Sequence, residues 1–320
     1  MGHNMRQARQ NLVIPITLCA SLCGCTGLDH PSDPGLERDL AAQHLGIARV
    51  FYQNDGSLGL DIRYSDGRRK PVGLSCCARA GIESIARNRI VLVDLTSPEP
   101  FDPKAVGDAF SGPVVLMDEE GKVIERSVIR VRANLLSLSP DEKGFAFVGS
   151  GDAAPTAESG VYVAEFHSRG ARKLAPIDPL INPNHRVHPS LDWSWDGRSL
   201  LYTDADGIHL VNVEGGKSEK LADGGMARFA PSGQSISYVT LQGQAALYNL
   251  GTRETKLVDP GHIVNRPMEW SPDGKYLLID EGEGSHVPYG CYWIYRLSDS
   301  AWLPLQDLGV GGLPPSWIRM

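Results

Sequence analysis

From about residue 46 the chain alternates between short runs of β-branched, aromatic and aliphatic residues and polar, glycine-bearing breaks. Ala48-Arg-Val-Phe-Tyr52, Leu58-Gly-Leu-Asp-Ile-Arg-Tyr64, Ile90-Val-Leu-Val93 and Pro113-Val-Val-Leu-Met117 are such runs, and they predict strands. Between them stand Asn54-Asp55-Gly56, Ser65-Asp66-Gly67 and Glu119-Glu120-Gly121. These predict hairpin turns, because glycine takes a positive φ without a Cβ penalty and Asn or Asp tolerates one. Long helical patterns are missing, and only Leu36 to Leu45 (LERDLAAQHL) predicts a short helix. Many short strands with regular turn signals predict an all-β fold: a sandwich, a barrel or a propeller.

Internal repeats decide among these. Leu138-Ser-Pro-Asp-Glu-Lys-Gly144, Trp193-Ser-Trp-Asp-Gly197, Phe229-Ala-Pro-Ser-Gly233 and Trp270-Ser-Pro-Asp-Gly274 share one template, each leading into an apolar strand. In the first, two residues intrude before the glycine. Counted from the small residue (Ser139, Ser194, Ala230, Ser271), the spacings are 55, 36 and 41. The last two match a four-stranded propeller blade of about 40 residues. The first is longer because 149–160 and 178–189 read as extended loops. Each repeat predicts a strand, the template turn, a strand, a loop, a strand, a turn and a final strand.

These repeats resemble the TolB-like (WD40-like) propeller repeat, over roughly Asn134 to Leu305. The resemblance implies a β-propeller of six or seven four-stranded blades, with seven preferred, occupying 46–320. Residues 46–130 lack the template, and their strand rhythm would supply two or three degenerate blades. A separate small N-terminal domain is the alternative, and it would leave an incomplete ring with open sheet edges. Trp193, Asp196, Gly197, Phe229, Gly233, Trp270, Pro272, Asp273 and Gly274 then read as structural blade-turn residues. Proline presets φ, aspartate bonds local amides and glycine takes the reversed conformation.

The N-terminus changes the compartment. Arg6 and Arg9 precede an apolar run, Leu12 to Leu22, which is too short to cross a bilayer core as a helix (about 20 residues). Leu22-Cys23-Gly24-Cys25 resembles the lipobox of bacterial lipoproteins. It implies a signal peptide over 1–24, an acylated Cys25 seated in the lipid bilayer, and a tether with the short helix over 25–45. By the same resemblance, Thr26 after the lipid site implies the outer membrane, facing the periplasm. Residues 1–24 hold two of the 31 basic residues and none of the 38 acidic ones, so the mature chain carries −9. A mildly acidic surface argues against binding of a nucleic-acid backbone.

Catalytic signals are weak. His185 and His188 have a metal-like spacing, but the pair is flanked by proline, with no glutamate between and no further ligand cluster. Asp204-Ala-Asp206-Gly207 mimics the start of a calcium loop, yet the chain passes straight into a strand, which reads as a hairpin. A Gly-x-Ser-x-Gly elbow and a phosphate-cradling loop are absent, and no cofactor is implied. Pro288-Tyr-Gly-Cys-Tyr-Trp-Ile-Tyr295 reads as core packing rather than a ligand platform. Beyond Cys25, three cysteines follow the signal peptide: Cys76, Cys77 and Cys291. In an oxidising compartment, with first and last blades adjacent, Cys291 is expected to bridge to Cys76 or Cys77. The function expected is a lipid-anchored, non-enzymatic propeller that binds an envelope protein or a cell-wall component. The alternative is a propeller enzyme acting on carbohydrate, a lyase or hydrolase using channel carboxylates or His185 and His188.

Overall fold

The computed structural model describes residues 33–43, 45–52, 58–64, 68–73, 80–86, 88–94, 110–151, 159–177, 189–259, 264, 268–281, 291–305 and 316–319. One helix, α1 (Pro34–Ala42), opens this set. It starts two residues before the expected Leu36, because Asp33 caps it by accepting from the Gly35 amide at 2.8 Å, with proline in the first turn. Leu45, expected in the helix, belongs instead to β1, where it faces Arg319.

Antiparallel strands make up five sheets. β1 (Leu45–Tyr52), β2 (Leu58–Tyr64) and β3 (Arg69–Gly73) form one with the last strand of the chain. The second is seven-stranded: β4 (Ala80–Ala86), β5 (Arg89–Asp94), β6 (Phe110–Met117), β7 (Val123–Leu138), β8 (Gly144–Gly151), β9 (Gly160–Glu165) and β10 (Arg172–Pro176). The third holds β11 (Leu191–Trp193), β12 (Ser199–Asp204), β13 (Gly207–Asn212) and β14 (Ser218–Ala222). The fourth holds β15 (Gly225–Phe229), β16 (Ser235–Val239), β17 (Ala245–Asn249) and β18 (Thr255–Asp259). The fifth holds β19 (Glu269–Trp270), β20 (Tyr276–Glu281), β21 (Cys291–Arg296) and β22 (Ala301–Leu305). β23 (Ser316–Arg319) returns to pair with β1.

The seven-stranded sheet is two blades joined through β7. Residues 123–133 of this 16-residue strand pair with β6, and 131–138 pair with β8. Counted this way, the described strands make six four-stranded units, the first built from β1 to β3 with β23 and the second from β4 to β6 with the first part of β7. The leading strands of these units touch in a closed cycle, β23 to β4, β7, β11, β15, β19 and back to β23. A closed cycle of sheets is a propeller.

The core lies between neighbouring units. Val91, Val93, Val114 and Val131 pack on Phe145, Phe147, Tyr162 and Phe166. Leu201 and Ile208 pack on Phe229, Ile236, Tyr238 and Tyr248. Because both faces of a blade are covered, its middle strands are apolar throughout: Leu200, Leu201 and Tyr202 are all buried, as are Tyr292, Trp293, Ile294 and Tyr295. The last interface closes the ring, with Leu45, Ile47 and Trp317 against Tyr276, Leu278, Tyr292 and Ile294. α1 lays Leu36 and Leu40, one turn apart, on the same cluster. Arg296 pins it with ion pairs to Asp33 (2.8 Å), Asp39 (2.7 Å) and Asp299 (2.7 Å). The Asp299 bond and the two helix carboxylates hold the guanidinium further toward its charged form.

Candidate functional site

The template turn is a closed hydrogen-bonded unit. In the third sheet the Ser194 amide donates to the Ser199 carbonyl at 2.9 Å, and Gly197 donates back to the Ser194 carbonyl at 3.0 Å. The Ser194 hydroxyl donates to Asp196 Oδ1 at 2.7 Å and accepts from the Ser199 amide at 2.9 Å. Asp196 Oδ1 also accepts from the Arg198 amide. Ser271, Asp273, Lys275 and Tyr276 repeat the pattern, as do Ser139, Asp141, Lys143 and Gly144. Where Ala230 and Ser232 replace Ser and Asp, only the backbone bonds from Ala230 and Gly233 and a weaker Ser232 contact remain.

One expectation is corrected. Nothing intrudes in the Leu138 turn: Glu142, at φ 59°, holds the place taken by Gly197 (74°), Gly233 (70°) and Gly274 (72°). Gly144 matches Ser199 and Tyr276 at the start of the next strand. The sequence template failed because a non-glycine residue carries the left-handed conformation.

The serine bond, chiefly, holds Asp141 and Asp196 below the ordinary carboxylate range. Each therefore contributes stability above the unfolded pKa, and that stability is lost as pH falls through the lower folded value. The unfolding midpoint is expected to fall on acidification below about pH 4, and Asp196→Asn should flatten that acid limb. Parallel acid limbs for wild type and variant, measured by thermal denaturation from pH 5 to pH 2, would contradict this role.

The turns of successive blades meet. A Cβ at Gly197 would lie 3.8 Å from Pro140 Cγ, and one at Gly274 would lie 3.7 Å from Pro231 Cδ. At Gly233 nothing stands within 4 Å of the equivalent point. The matching residue of the preceding blade is Trp195, in proline's place, and it is 38% exposed. Trp195 therefore does not seat against Gly233 as Pro140 does against Gly197 and Pro231 against Gly274, and it stays exposed.

Just inside this ring, three ionisable residues come from consecutive leading strands. Asp192, Arg228 and Glu269 each precede the template aromatic. Arg228 Nε donates to Glu269 Oε1 at 3.0 Å, and its Nη1 donates to the Leu191 and Ala227 carbonyls. Asp192 Oδ2 accepts from the Phe229 amide at 2.7 Å. The Arg228 and Glu269 side chains remain 23% and 21% exposed although protein surrounds them. Burial pushes the Glu269 carboxyl up and the like charge of Asp192 adds to this, against the pull of Arg228. The trio forms a charged lining, net −1, that stitches three blades together. Aligning the repeats one residue upstream of the aromatic would have shown this charged column in the sequence.

Other expected sites fall elsewhere. Asp204 to Gly207 is a hairpin turn between β12 and β13. Asp204 Oδ1 lies 3.0 Å from His209 Nε2, and His209 stacks on Tyr202. Lys220 bridges Asp206 and Asp223. Among the described residues no group of three or more His, Cys, Asp or Glu is placed to hold a metal. Cys25, Cys76, Cys77, His185 and His188 lie outside the described residues, and Cys291 is described only as the first residue of β21.

No protein-family model and no curated protein matches the chain. Among solved structures, TolB from Acinetobacter baumannii superposes with a TM-score of 0.59 at 17% identity, over 87% of this chain and 67% of that one. A putative TolB from Agrobacterium tumefaciens gives 0.49 at 12% identity, over 84% and 91% of the two chains. The β-propeller domain of Cps50 (Swd1) from Myceliophteria thermophila gives 0.49 at 13%, over 84% and 88%. The first likeness shows the fold: the chain is a TolB-like β-propeller.

Proposed function

We propose that this TolB-like propeller is a non-enzymatic binding module of the bacterial cell envelope, with six blades, and that it docks a protein partner through its ring of turns. The observation that carries the reading is Trp195, exposed on the template turn of the third sheet, with open space at Gly233 on the turn of the next. An exposed aromatic on a rigid rim, over partly desolvated charges, is the composition of a protein-docking hot spot. Asp192, Arg228 and Glu269 are tied to one another and to backbone, which suits a fixed lining better than proton transfer. The alternative of carbohydrate cleavage has no such supporting geometry among the described residues.

Anchoring belongs to the same proposal: Cys25 carries the lipid, and the protein sits at the outer membrane facing the periplasm. Arg296 fixes α1 to the propeller through Asp33 and Asp39. We also retain the bridge from Cys291 to Cys76 or Cys77. Since strands alternate, β3 ends and β4 starts, and β20 ends and β21 starts, at the end of the ring opposite the template turns. Non-reducing peptide mapping that finds Cys291 as a free thiol excludes the bridge.

The test uses a photocrosslinking residue placed at Trp195 or, as control, at exposed Gln242 in the β16–β17 turn at the opposite end of the ring, in intact cells. A discrete protein adduct from position 195 alone supports the docking face, and identical adducts from both positions refute it. Cys25→Ser is expected to move the protein from the membrane to the soluble fraction. Normal processing and membrane retention of that variant would sink the anchor. Cleavage of a cell-wall polysaccharide by the purified protein would instead favour the enzyme.

A further inference from the structure

The middle of β7 carries arginines at three even-numbered positions, Arg126, Arg130 and Arg132. The odd-numbered residues Ile129, Val131 and Ala133 pack into the core. Strand alternation places Arg130 and Arg132 on the other face, with their Cα atoms about 7 Å apart. Arg126 has its counter-ion, donating through Nη1 to the buried Asp94 at 2.5 Å. Arg130 and Arg132 have no ion-pair partner among the described residues.

Arg130 is the anomaly. Its Nε and Nη2 are both buried, and neither has a hydrogen-bond partner. Buried cationic donors without an acceptor are costly, and native proteins rarely keep them. The two orphan atoms are also the adjacent pair on one edge of the guanidinium, whose N–H bonds run parallel. That edge matches two oxygens of a single carboxylate or phosphate. Arg132 supplies a second positive charge on the same face, and an anion between the two would turn their repulsion into attraction.

We propose that Arg130 and Arg132 form an oxyanion-binding site on β7, taking a carboxylate or phosphate group on the Nε–Nη2 edge of Arg130. The site is separate from the template turns, since β7 runs on from Arg132 to Leu138, where its template turn begins.

The test is thermal unfolding of the full chain in an amine buffer, titrated with inorganic phosphate or with acetate against sodium chloride at equal ionic strength. A midpoint that rises with either anion beyond the chloride control is expected. A rise with phosphate alone defines a tetrahedral ligand, and a rise with both defines a general oxyanion fork. Arg130→Met should abolish the response while unfolding no earlier than wild type without anion, because it removes an unpaired buried charge. Arg132→Gln should weaken the apparent affinity about tenfold, as befits one charge-assisted contact. Arg130→Lys keeps the charge and folding but loses the fork, so it should bind at least tenfold more weakly. No response of the wild type beyond chloride, or an undiminished response in Arg130→Lys, overturns the site.

Discussion

Trp317→Ala is expected to lower the thermal unfolding midpoint by about 10 °C, the largest effect of any single side-chain truncation outside the blade centres. Trp317 sits in a four-residue strand, β23, which pairs with β1. Its ring is buried beside Tyr276, and its indole N–H donates to the Glu269 carbonyl at 3.1 Å. One residue thus joins three elements: β1 by strand pairing, β20 by packing and β19 by a hydrogen bond. Truncating a buried tryptophan costs roughly 3–5 kcal/mol. In a domain of this size each kcal/mol moves the midpoint by about 2–4 °C. The interface at stake is the one that closes the ring, so the loss should also reduce cooperativity. Deleting 316–320 should go further and expose the edge of β1, a template for aggregation. Phe145→Ala, in a blade interface away from the closure, should destabilise comparably but keep one sharp transition. If Trp317→Ala unfolds within about 3 °C of wild type, the closing strand is not what holds the ring.

The blade interiors were legible in the sequence because their physics is local. Leu200-Leu-Tyr202 and Leu277-Leu-Ile279 are continuous apolar runs set off by Asp-Gly turns, as strands buried on both faces must be. What escaped was non-local or exceptional. The closing strand Ser316–Arg319 is short and weakly apolar, and nothing in it names β1 as its partner. The double use of β7 left only a negative sign, the lack of any glycine or proline between Val123 and Leu138. The charged column Asp192, Arg228, Glu269 was present in the repeats but stood one place outside the template. Glu142 hid because turn templates assume glycine wherever φ is positive, and this turn departs from that assumption.

The same departure predicts unequal effects at equivalent positions. Gly274→Val should destabilise by about 2–3 kcal/mol, and Glu142→Gly should not destabilise at all. At Gly274 the cost is conformational rather than steric. A Cβ there would find Pro231 Cδ at 3.7 Å, an ordinary contact, but φ 72° is a conformation that β-branched residues avoid. Gly274→Ala should therefore cost less than valine, and Gly274→Asn less again, since asparagine tolerates that region. At Glu142 the strain is already present, at φ 59°. Glycine relieves it but removes the Glu142–Arg89 ion pair, 2.9 Å long and about one third exposed. A pair that open to solvent contributes about 0–1 kcal/mol, so the two effects should nearly cancel in the wild-type background. In an Arg89→Ala background the pair is already gone, and Glu142→Gly should then stabilise by about 0.5–1 kcal/mol. Urea denaturation of the four variants in the Arg89–Glu142 cycle reads this directly. If Glu142→Gly still destabilises once Arg89 is removed, the glutamate does not stand in the glycine's place, and the four turns do not share one geometry.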